Sequence, residues 1–313
     1  MKAEEIRRKI DELKRLAADH DVDINEDLSR LVSKLEGEGE GGPAEPGGMR
    51  AWERVQLARH HDRPTTLDYI DRMSDRYIEL HGDRAFADDP AMVGGLAEID
   101  GVYFTFIGHQ KGRNMKENLK RNYGMAHPEG YRKALRLAKQ AEKFGRPVLS
   151  IIDTPGAYPG ISAEERGIGE AIARNLKEFA ALRTPVIAVI VGEGGSGGAL
   201  GIGVGDYLIM LENTVYSVIS PEGFASILLR DSRKAEEAAA LMRMTAYDLK
   251  TYGIADEVIP EPSGGAHKDP QLTADRIKER VLSVYARLRR RRSDVLLKDR
   301  AKRLEGYSAV RGG

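Results

Sequence analysis

The sequence predicts an α/β protein, and three observations support this fold class. Residues 147–153 and 186–191 are almost entirely apolar, as in strands that are buried on both faces of a sheet. Each of these segments is followed by a glycine-rich loop and then by a helical pattern. A third region holds two strand-like runs joined by Asp100-Gly101, a dipeptide that favours tight hairpins. Alternating strands and helices of this kind are typical of α/β folds.

The remaining elements follow from the same patterns. Helices are predicted at residues 51–61, 66–80, 131–144, 221–230, 235–244, 273–292 and 295–303. Strands are predicted at 92–99, 102–107, 207–211, 215–219 and around Val258. The second helix is entered through Pro64-Thr65-Thr66, and Thr245 is predicted to cap a short helix that ends near Tyr252.

The chain divides into four predicted regions. Residues 1–36 form an N-terminal helical extension with apolar stripes, which pack either on their own subunit or on another one. Residues 37–48, rich in glycine, glutamate and proline, form a flexible linker. The main domain covers 49–270, and 271–313 form a C-terminal helical extension.

Composition excludes several classes of protein. The 313 residues contain 49 Lys and Arg against 49 Asp and Glu, so the net charge of zero argues against a dedicated nucleic-acid binder. Without cysteine, the chain has no disulfide, no thiolate zinc site and no cysteine nucleophile. No apolar stretch is long enough for a membrane span, and no signal peptide begins the chain, so we expect a cytoplasmic protein without membrane association.

The glycine-rich stretch after residues 186–191 fits three kinds of site. Gly192, Gly194 and Gly197 match a dinucleotide-binding pattern, but only eight residues separate the glycines from the next strand, too few for a crossover helix. Gly194, Ser196 and Gly198 match a nucleophile elbow, with Ser196 as the nucleophile of a serine hydrolase. In the third interpretation, the amides of Gly198 and its neighbours form an oxyanion hole.

A second glycine loop favours the oxyanion hole. The loop TPGAYPG, residues 154–160, follows the strand predicted at 147–153, and a helix is predicted to start at Ser162 with a Ser162/Glu165 capping box. The ends of parallel strands lie at the same edge of a sheet. Two sources of backbone amides therefore face one cavity.

These motifs resemble the alpha subunit of acetyl-coenzyme A carboxylase carboxyltransferase. The resemblance is carried by IDTPGAYPG, AEERGIGEAIARN, GEGGSGGALGIGVGD and YSVISPEG, with QLARH, TLDYI, GDRAFADD, IGHQKGR, RNYGM, PEGYRKALRLA and IPEPSGGAH. It is closest over residues 51–267, with departures at Phe224 and Leu229-Arg230. It implies a crotonase-type (ClpP/crotonase-like) ββα superhelix, which periodicity alone does not indicate.

The resemblance also implies a function. Members of this family transfer a carboxyl group from carboxybiotin, held by a separate carrier protein, to acetyl-CoA to form malonyl-CoA, the first committed step of fatty acid synthesis. The implied partners are a zinc-ribbon beta subunit in an alpha₂beta₂ assembly, the biotin carboxyl carrier protein and biotin carboxylase. This chain has no sequence for biotin attachment and no recognisable ATP site, and no metal is expected in it.

Site residues follow from the matched motifs. The resemblance and the loops together predict that the oxyanion hole is built by Gly197, Gly198, Ala199, Gly156 and Ala157. The predicted substrate-binding residues are Gly194, Gly195, Ser196, Tyr158, Pro159, Gly160, Lys111, Arg113 and Arg121.

Three basic features have alternative interpretations. The cluster at residues 111–121 either binds the phosphates of coenzyme A or forms a solvated face. The run Arg289 to Arg292 either contacts RNA or an acidic partner, or ends a solvated helix. His109, flanked by glycines, either faces the site or makes structural hydrogen bonds.

Overall fold

A computed structural model describes residues 48–307. The predicted N-terminal extension and nearly all of the predicted linker lie outside the described residues. By their internal contacts, residues 48–53 and Ile219–Arg243 form one compact unit, and Arg54–Val218 with residues 244–307 form another.

The secondary structure follows the chain in this order. The strands are β1 (Arg76–Glu79), β2 (Met92–Ile99), β3 (Val102–His109), β4 (Val148–Thr154), β5 (Val186–Gly195), β6 (Tyr207–Leu211), β7 (Val215–Ser217) and β8 (Glu257–Ile259). The helices are α1 (Ala51–Ala58), α2 (Thr66–Met73), α3 (Met115–Lys120), α4 (Pro128–Lys143), α5 (Ile161–Glu165), α6 (Ile168–Ala180), α7 (Ser196–Gly203), α8 (Pro221–Phe224), α9 (Ala235–Met242), α10 (Ala246–Thr251), α11 (Pro270–Leu288) and α12 (Ser293–Tyr307). Among the described helices, none is both long and apolar enough to cross a membrane.

An eight-stranded sheet organises the larger unit, in the order β1-β2-β3-β4-β5-β6-β8, with β7 paired to β5. The first three strands are antiparallel, and the pairs from β3 onward are parallel. Successive side chains of β5 enter opposite cores: Val186, Ala188 and Ile190 pack with α4, α6 and α7, whereas Ile187 and Val189 pack with α2 and α11. This alternation confirms the prediction of a strand buried on both faces.

The Asp100-Gly101 hairpin is confirmed. Ile99 of β2 pairs with Val102 of β3, so the loop has two residues. Both loop residues have positive φ angles, 48° for Asp100 and 74° for Gly101, as a type I′ turn requires.

The predicted helix at residues 66–80 is wrong in its second half. Helix α2 ends at Met73, Ser74 is extended, and Arg76–Glu79 forms the edge strand β1, which pairs with β2. The Ser74 hydroxyl donates to the carbonyl of Ile70 at 2.6 Å and so satisfies an acceptor at the helix end. The helical pattern of the sequence continues beyond Met73, but pairing with β2 makes Arg76–Glu79 a strand.

The predicted capping box at Ser162 is also wrong. Gly160 is the N-cap of α5 and makes no side-chain cap. Gly167 has a φ of 78°, a left-handed conformation that separates α5 from α6. The predicted single helix is therefore two helices.

The smaller unit is helical. Its Ile219–Arg243 segment contains α8, a π-helical turn at Ala225–Leu229, a 3₁₀ turn at Ser232–Lys234 and α9. The predicted continuous helix at 221–230 is thus interrupted by the π turn. Ala225, Leu229 and Ala238 form its small core, with Phe224 packed against them.

Candidate active site

The two glycine loops lie in direct contact. Strands β4 and β5 are parallel neighbours, so both loops begin at the same edge of the sheet. A Cβ on Gly195 would lie 2.1 Å from the Pro155 oxygen, and a Cβ on Gly198 would lie 2.6 Å from the Ala157 nitrogen. Both distances are shorter than any real Cβ contact. Glycine is therefore required at these two positions for the loops to meet.

Free amides cluster at the start of α7. The helix begins at Ser196, directly after β5, and Ser196 itself has a left-handed φ of 50°. The first amides of a helix have no intrahelical acceptor, and Gly197 and Gly198 belong to this group. The prediction that Ala199 also contributes to the hole stays a prediction. The positive end of the helix dipole adds to the attraction for an anion.

The Gly156 amide has a hydrogen-bond partner within its own loop. Its N–H donates to Thr154 Oγ1 at 3.1 Å, and the Thr154 hydroxyl donates to the Gly156 carbonyl at 2.7 Å. The Gly156 amide is therefore occupied within its own loop in this structure, and the prediction that it contributes to the oxyanion hole stays a prediction. The loop is fixed further by the Tyr158 N–H, which donates to the Ala126 carbonyl at 3.0 Å.

Helix α7 is held from two neighbouring helices. The Tyr131 hydroxyl on α4 donates to the Gly198 carbonyl at 3.3 Å, and Asn175 Nδ2 on α6 donates to the Gly201 carbonyl at 2.9 Å. Burial raises the pKa of Tyr131, so its phenol stays a neutral donor. The glycine loop therefore starts from a fixed helix.

Four charged side chains surround the ends of β3, β4 and β5. Lys111 Nζ lies 2.7 Å from Asp153 Oδ1 and 3.2 Å from Glu193 Oε2, and Arg59 Nε lies 2.7 Å from Glu193 Oε1. Burial alone would raise the pKa of Glu193, but the charges of Lys111 and Arg59 lower it below its usual value. Burial opposes the charge of Lys111, but the two carboxylates raise its pKa. Lys111 and Glu193 are therefore both charged near neutral pH.

A cavity of about 480 Å³ opens beside this cluster. It is lined by Ala58, Arg59, His60, His61, Arg63, Thr65, Lys111, Gly112, Asn118, Tyr123, Met125, Asp153, Pro155 and Glu193. A second cavity of about 260 Å³, mostly apolar, lies along α7 and includes Ser196, Leu200, Gly203, Tyr216 and Tyr307. The glycine loops contribute residues to both cavities.

The predicted substrate-binding residues fall into two groups. Lys111 and the loop residues Gly194, Gly195 and Ser196 lie at this edge of the sheet. Arg113 pairs with Asp68 on an exposed surface, and Arg121 donates to the Pro90 carbonyl at 2.9 Å. The structure therefore brings neither arginine into the lining of the larger cavity.

The aromatic end of the first loop has a structural role. The Tyr158 ring stacks on His127, with centroids 4.1 Å apart. A Cβ on Gly160 would lie 2.3 Å from the Tyr158 ring, and Pro159 is exposed. These three residues shape the loop without presenting a charged group.

The structure does not support Ser196 as the nucleophile of a hydrolase. Its φ of 50° does match the strained turn of a nucleophile elbow. However, His109 is fully buried at the end of β3, and its imidazole interacts with the backbone of Gly198. No hydrogen bond found among the described residues joins His109 to Ser196. Burial, with the charge of Lys111, lowers the pKa of His109 to about 3.

Sequence reasoning missed three members of the charged cluster. Asp153 was seen as the end of a strand, Glu193 as a spacer between glycines and Arg59 as part of a helix. A carboxylate directly before each glycine loop was the available signal. The sequence does not show that these carboxylates contact Lys111, because Lys111 lies some forty residues before Asp153, the nearer of the two.

Comparisons with known proteins identify the family of this chain. The acetyl co-enzyme A carboxylase carboxyltransferase-like family model matches residues 1–308. An acetyl-coenzyme A carboxylase carboxyl transferase subunit alpha from Treponema denticola is 57% identical over 295 residues, covering 94% of each chain. The subunit of the same name from Bacillus thuringiensis is 53% identical over 306 residues, covering 98% of this chain and 93% of the relative.

Two solved structures share the fold. Transcarboxylase 12S aligns with a TM-score of 0.60 at 20% identity, covering 77% of this chain and 46% of that chain. A Pseudomonas malonate decarboxylase hetero-tetramer in complex with coenzyme A aligns with a TM-score of 0.59 at 20% identity, covering 78% and 95%. The expected crotonase-type fold is confirmed. The chain belongs to the family of acetyl-coenzyme A carboxylase carboxyltransferase alpha subunits.

Proposed function

We propose that this chain transfers a carboxyl group from carboxybiotin, carried by a separate protein, to acetyl-CoA to form malonyl-CoA. Family membership supports the reaction class. The observation that carries the site assignment is the contact between the two glycine loops, which brings the first turn of α7, where Gly197 and Gly198 lie, against Gly156 and Ala157. Ala157 lies against Gly198 and is the third candidate donor.

The residues of this chain act by positioning and electrostatics. Carboxybiotin supplies the carboxyl group and a ureido oxygen on which negative charge develops. The amides of Gly197 and Gly198 donate to that oxygen, and the rigid loops hold them in place before the reaction begins. Removing one donor of an oxyanion hole costs roughly 10²–10³ in rate. This assignment needs no side-chain base on the glycine loops.

The second oxyanion, on the thioester carbonyl, is assigned to the beta subunit. The relatives are named alpha subunits, and the malonate decarboxylase neighbour is a hetero-tetramer. We propose an alpha₂beta₂ assembly with a zinc-ribbon beta subunit, supplied by biotin carboxyl carrier protein and biotin carboxylase. In this proposal the protein acts in the cytoplasm, where its product enters fatty acid synthesis.

Reconstitution tests this function. The reverse reaction, malonyl-CoA with biocytin, is measured for this chain alone and then with a cognate beta subunit. We expect activity only in the mixture. Activity of this chain alone would place both oxyanion holes in one subunit and overturn the interface assignment.

A folded, associated but inactive mixture would overturn the carboxyl-transfer proposal itself. In that case, labelling of Ser196 by a fluorophosphonate probe would revive the hydrolase interpretation. A transferase gives no labelling, because its serine is not an activated nucleophile.

A further inference from the structure

Lys111 joins the ends of three neighbouring strands. It follows β3 by two residues, Asp153 is the penultimate residue of β4, and Glu193 lies near the end of β5. One ammonium contacts both carboxylates, at 2.7 Å and 3.2 Å. Asp153 directly precedes the first glycine loop and Glu193 lies at the start of the second, so this contact links the starting points of both loops.

The link lies at an irregularity of the sheet. Ile152 pairs with Ile190, but Thr154 pairs with Gly194, so one residue of β4 faces three residues of β5. Asp153 is that one residue, and its Oδ1 accepts the Glu193 N–H at 3.0 Å. The bulge advances β5 by two residues relative to β4. Bulges of this kind redirect the chain next to active sites.

The space around the bulge is filled by the Asp153 carboxylate. A Cβ on Gly192 would lie 2.2 Å from Asp153 Oδ1, and a Cβ on Gly124 would lie 2.8 Å from the Asp153 carbonyl. The Lys111 side chain also packs against Gly124, within 3.2 Å of the same Cβ position. The ion pair therefore packs against the backbone on one side and borders the larger cavity on the other.

Loss of the ammonium would leave the Asp153 and Glu193 carboxylates facing each other, with only Glu193 still paired to Arg59. The side chains of Asp153 and Glu193 are only 7% and 12% exposed, so water screens their repulsion poorly. Separating them would open the bulge and shift the loop that begins at Gly194 away from the loop at Pro155. The contacts at Gly195 and Gly198, which bring the amides together, depend on that register.

We propose that Lys111 is a positioning residue for carboxyl transfer, which ties Asp153 to Glu193 and so holds the two glycine loops in contact. This proposal rests on the carboxyltransferase function proposed above. It replaces the prediction that Lys111 binds substrate, because both carboxylates already occupy its charge. In this proposal Lys111 does not bind the phosphates of coenzyme A.

The test uses the reconstituted enzyme and the variant Lys111→Met. A displacement of about 1 Å at a reacting centre costs up to roughly 10²-fold in rate, so we expect kcat to fall by about 10- to 100-fold. The KM values for malonyl-CoA and biocytin should stay within about threefold of wild type, since no binding contact is removed. Lys139→Met is the matched control: it breaks a 2.8 Å ion pair with Glu178, and neither residue belongs to the loops.

A rescue experiment separates positioning from binding. In Lys111→Met/Glu193→Gln one of the two facing charges is removed, while the glutamine oxygen can still accept from Arg59, so we expect a higher kcat than in Lys111→Met. A lysine that binds phosphate predicts the opposite pattern, namely a raised KM for malonyl-CoA and no rescue. That pattern, or a wild-type kcat in Lys111→Met, would overturn the proposal.

Lys111→Arg provides an answer even if Lys111→Met does not assemble. Arginine keeps the charge but places it on a longer, planar group. Positioning predicts a lower kcat at unchanged KM, whereas phosphate binding predicts wild-type activity. An inactive wild-type complex would instead count against the carboxyltransferase function, so the two failures are distinguishable.

Discussion

Single glycines decide whether the loops can meet. Gly197 and Gly198 are adjacent and both belong to the first turn of α7, but their surroundings differ. A Cβ on Gly197 would make an ordinary contact with Ile172 at 3.6 Å. A Cβ on Gly198 would lie 2.5 Å from the Gly156 carbonyl carbon, which cannot move without moving the loop. The second position therefore demands glycine for steric reasons as well as for its amide.

This difference predicts the behaviour of two alanine variants. Gly198→Ala should lower kcat in the reconstituted enzyme by at least about 100-fold, because it forces the loops apart. Gly197→Ala keeps its amide and has room, so we expect a loss of less than about tenfold. Steady-state kinetics on both variants, with melting curves as the folding control, checks this. Equal losses would show that loop contact does not control activity.

At the scale of elements, one buried arginine attaches the last described helix. Arg300 on α12 pairs with Asp206 at 2.7 Å and donates to the carbonyls of Phe179, Leu182 and Thr184. Its side chain is fully buried. Because these carbonyls lie at and beyond the end of α6, Arg300 also satisfies acceptors that the helix itself leaves open. The predicted C-terminal extension thus packs within the larger unit.

Removing the Arg300 guanidinium should lower the free energy of unfolding. Arg300→Met leaves Asp206 as an unpaired buried charge, and breaking a buried ion pair from one side costs about 3–5 kcal/mol. Arg300→Met/Asp206→Asn should recover part of the lost free energy of unfolding. Urea denaturation of the three proteins measures both effects. A loss of less than about 1 kcal/mol for Arg300→Met would show that this buried pair contributes no more to stability than a surface salt bridge.

The arginine run at the end of α11 is another element-scale result. Arg291 pairs with Asp299, Arg292 Nε lies 3.1 Å from Asp294, and the Arg289 guanidinium lies 5.6 Å from the centre of the Tyr285 ring. Three of the four arginines are therefore engaged by neighbouring side chains. This favours the interpretation of a solvated helix end over a nucleic-acid contact.

For the whole molecule, buried titratable groups link stability to pH. The unfolded-state pKa of histidine is near 6.5, whereas burial lowers the pKa of His109 to about 3 in the folded protein. A depressed folded-state pKa means that the unfolded chain binds the proton more strongly. The stability due to neutral His109 is complete above pH 6.5 and is lost as the pH falls toward 3.

His109→Leu should remove this dependence. Below pH 6.5, the free energy of unfolding of wild type should fall relative to the variant by up to about 1.4 kcal/mol per pH unit. Leucine also loses the interaction of the imidazole with the Gly198 backbone, so the test compares the slopes against pH and not the absolute stabilities. Denaturation at several pH values between 7 and 4 measures the difference. Parallel curves for the two proteins would show that His109 does not titrate on unfolding.

The sequence by itself determined the local features of this protein. Apolar periodicity identified β2, β5 and β6, and Asp100-Gly101 identified the hairpin, because backbone preference and burial pattern act over a few neighbouring residues. The glycine motifs carried the family resemblance. They also identified the two loops, because close backbone approach leaves no alternative to glycine.

Only the tertiary structure decided the parts that depend on register between distant strands. The bulge at Asp153 sets which glycine meets which carbonyl, and Lys111 acquires its role only where three strand ends come together. The sequence of edge strand β1 continues a helical pattern, and its pairing with β2 makes it a strand. The physical reason is the same in each case: strand pairing joins residues far apart in sequence, and a shift of register changes every contact beyond it.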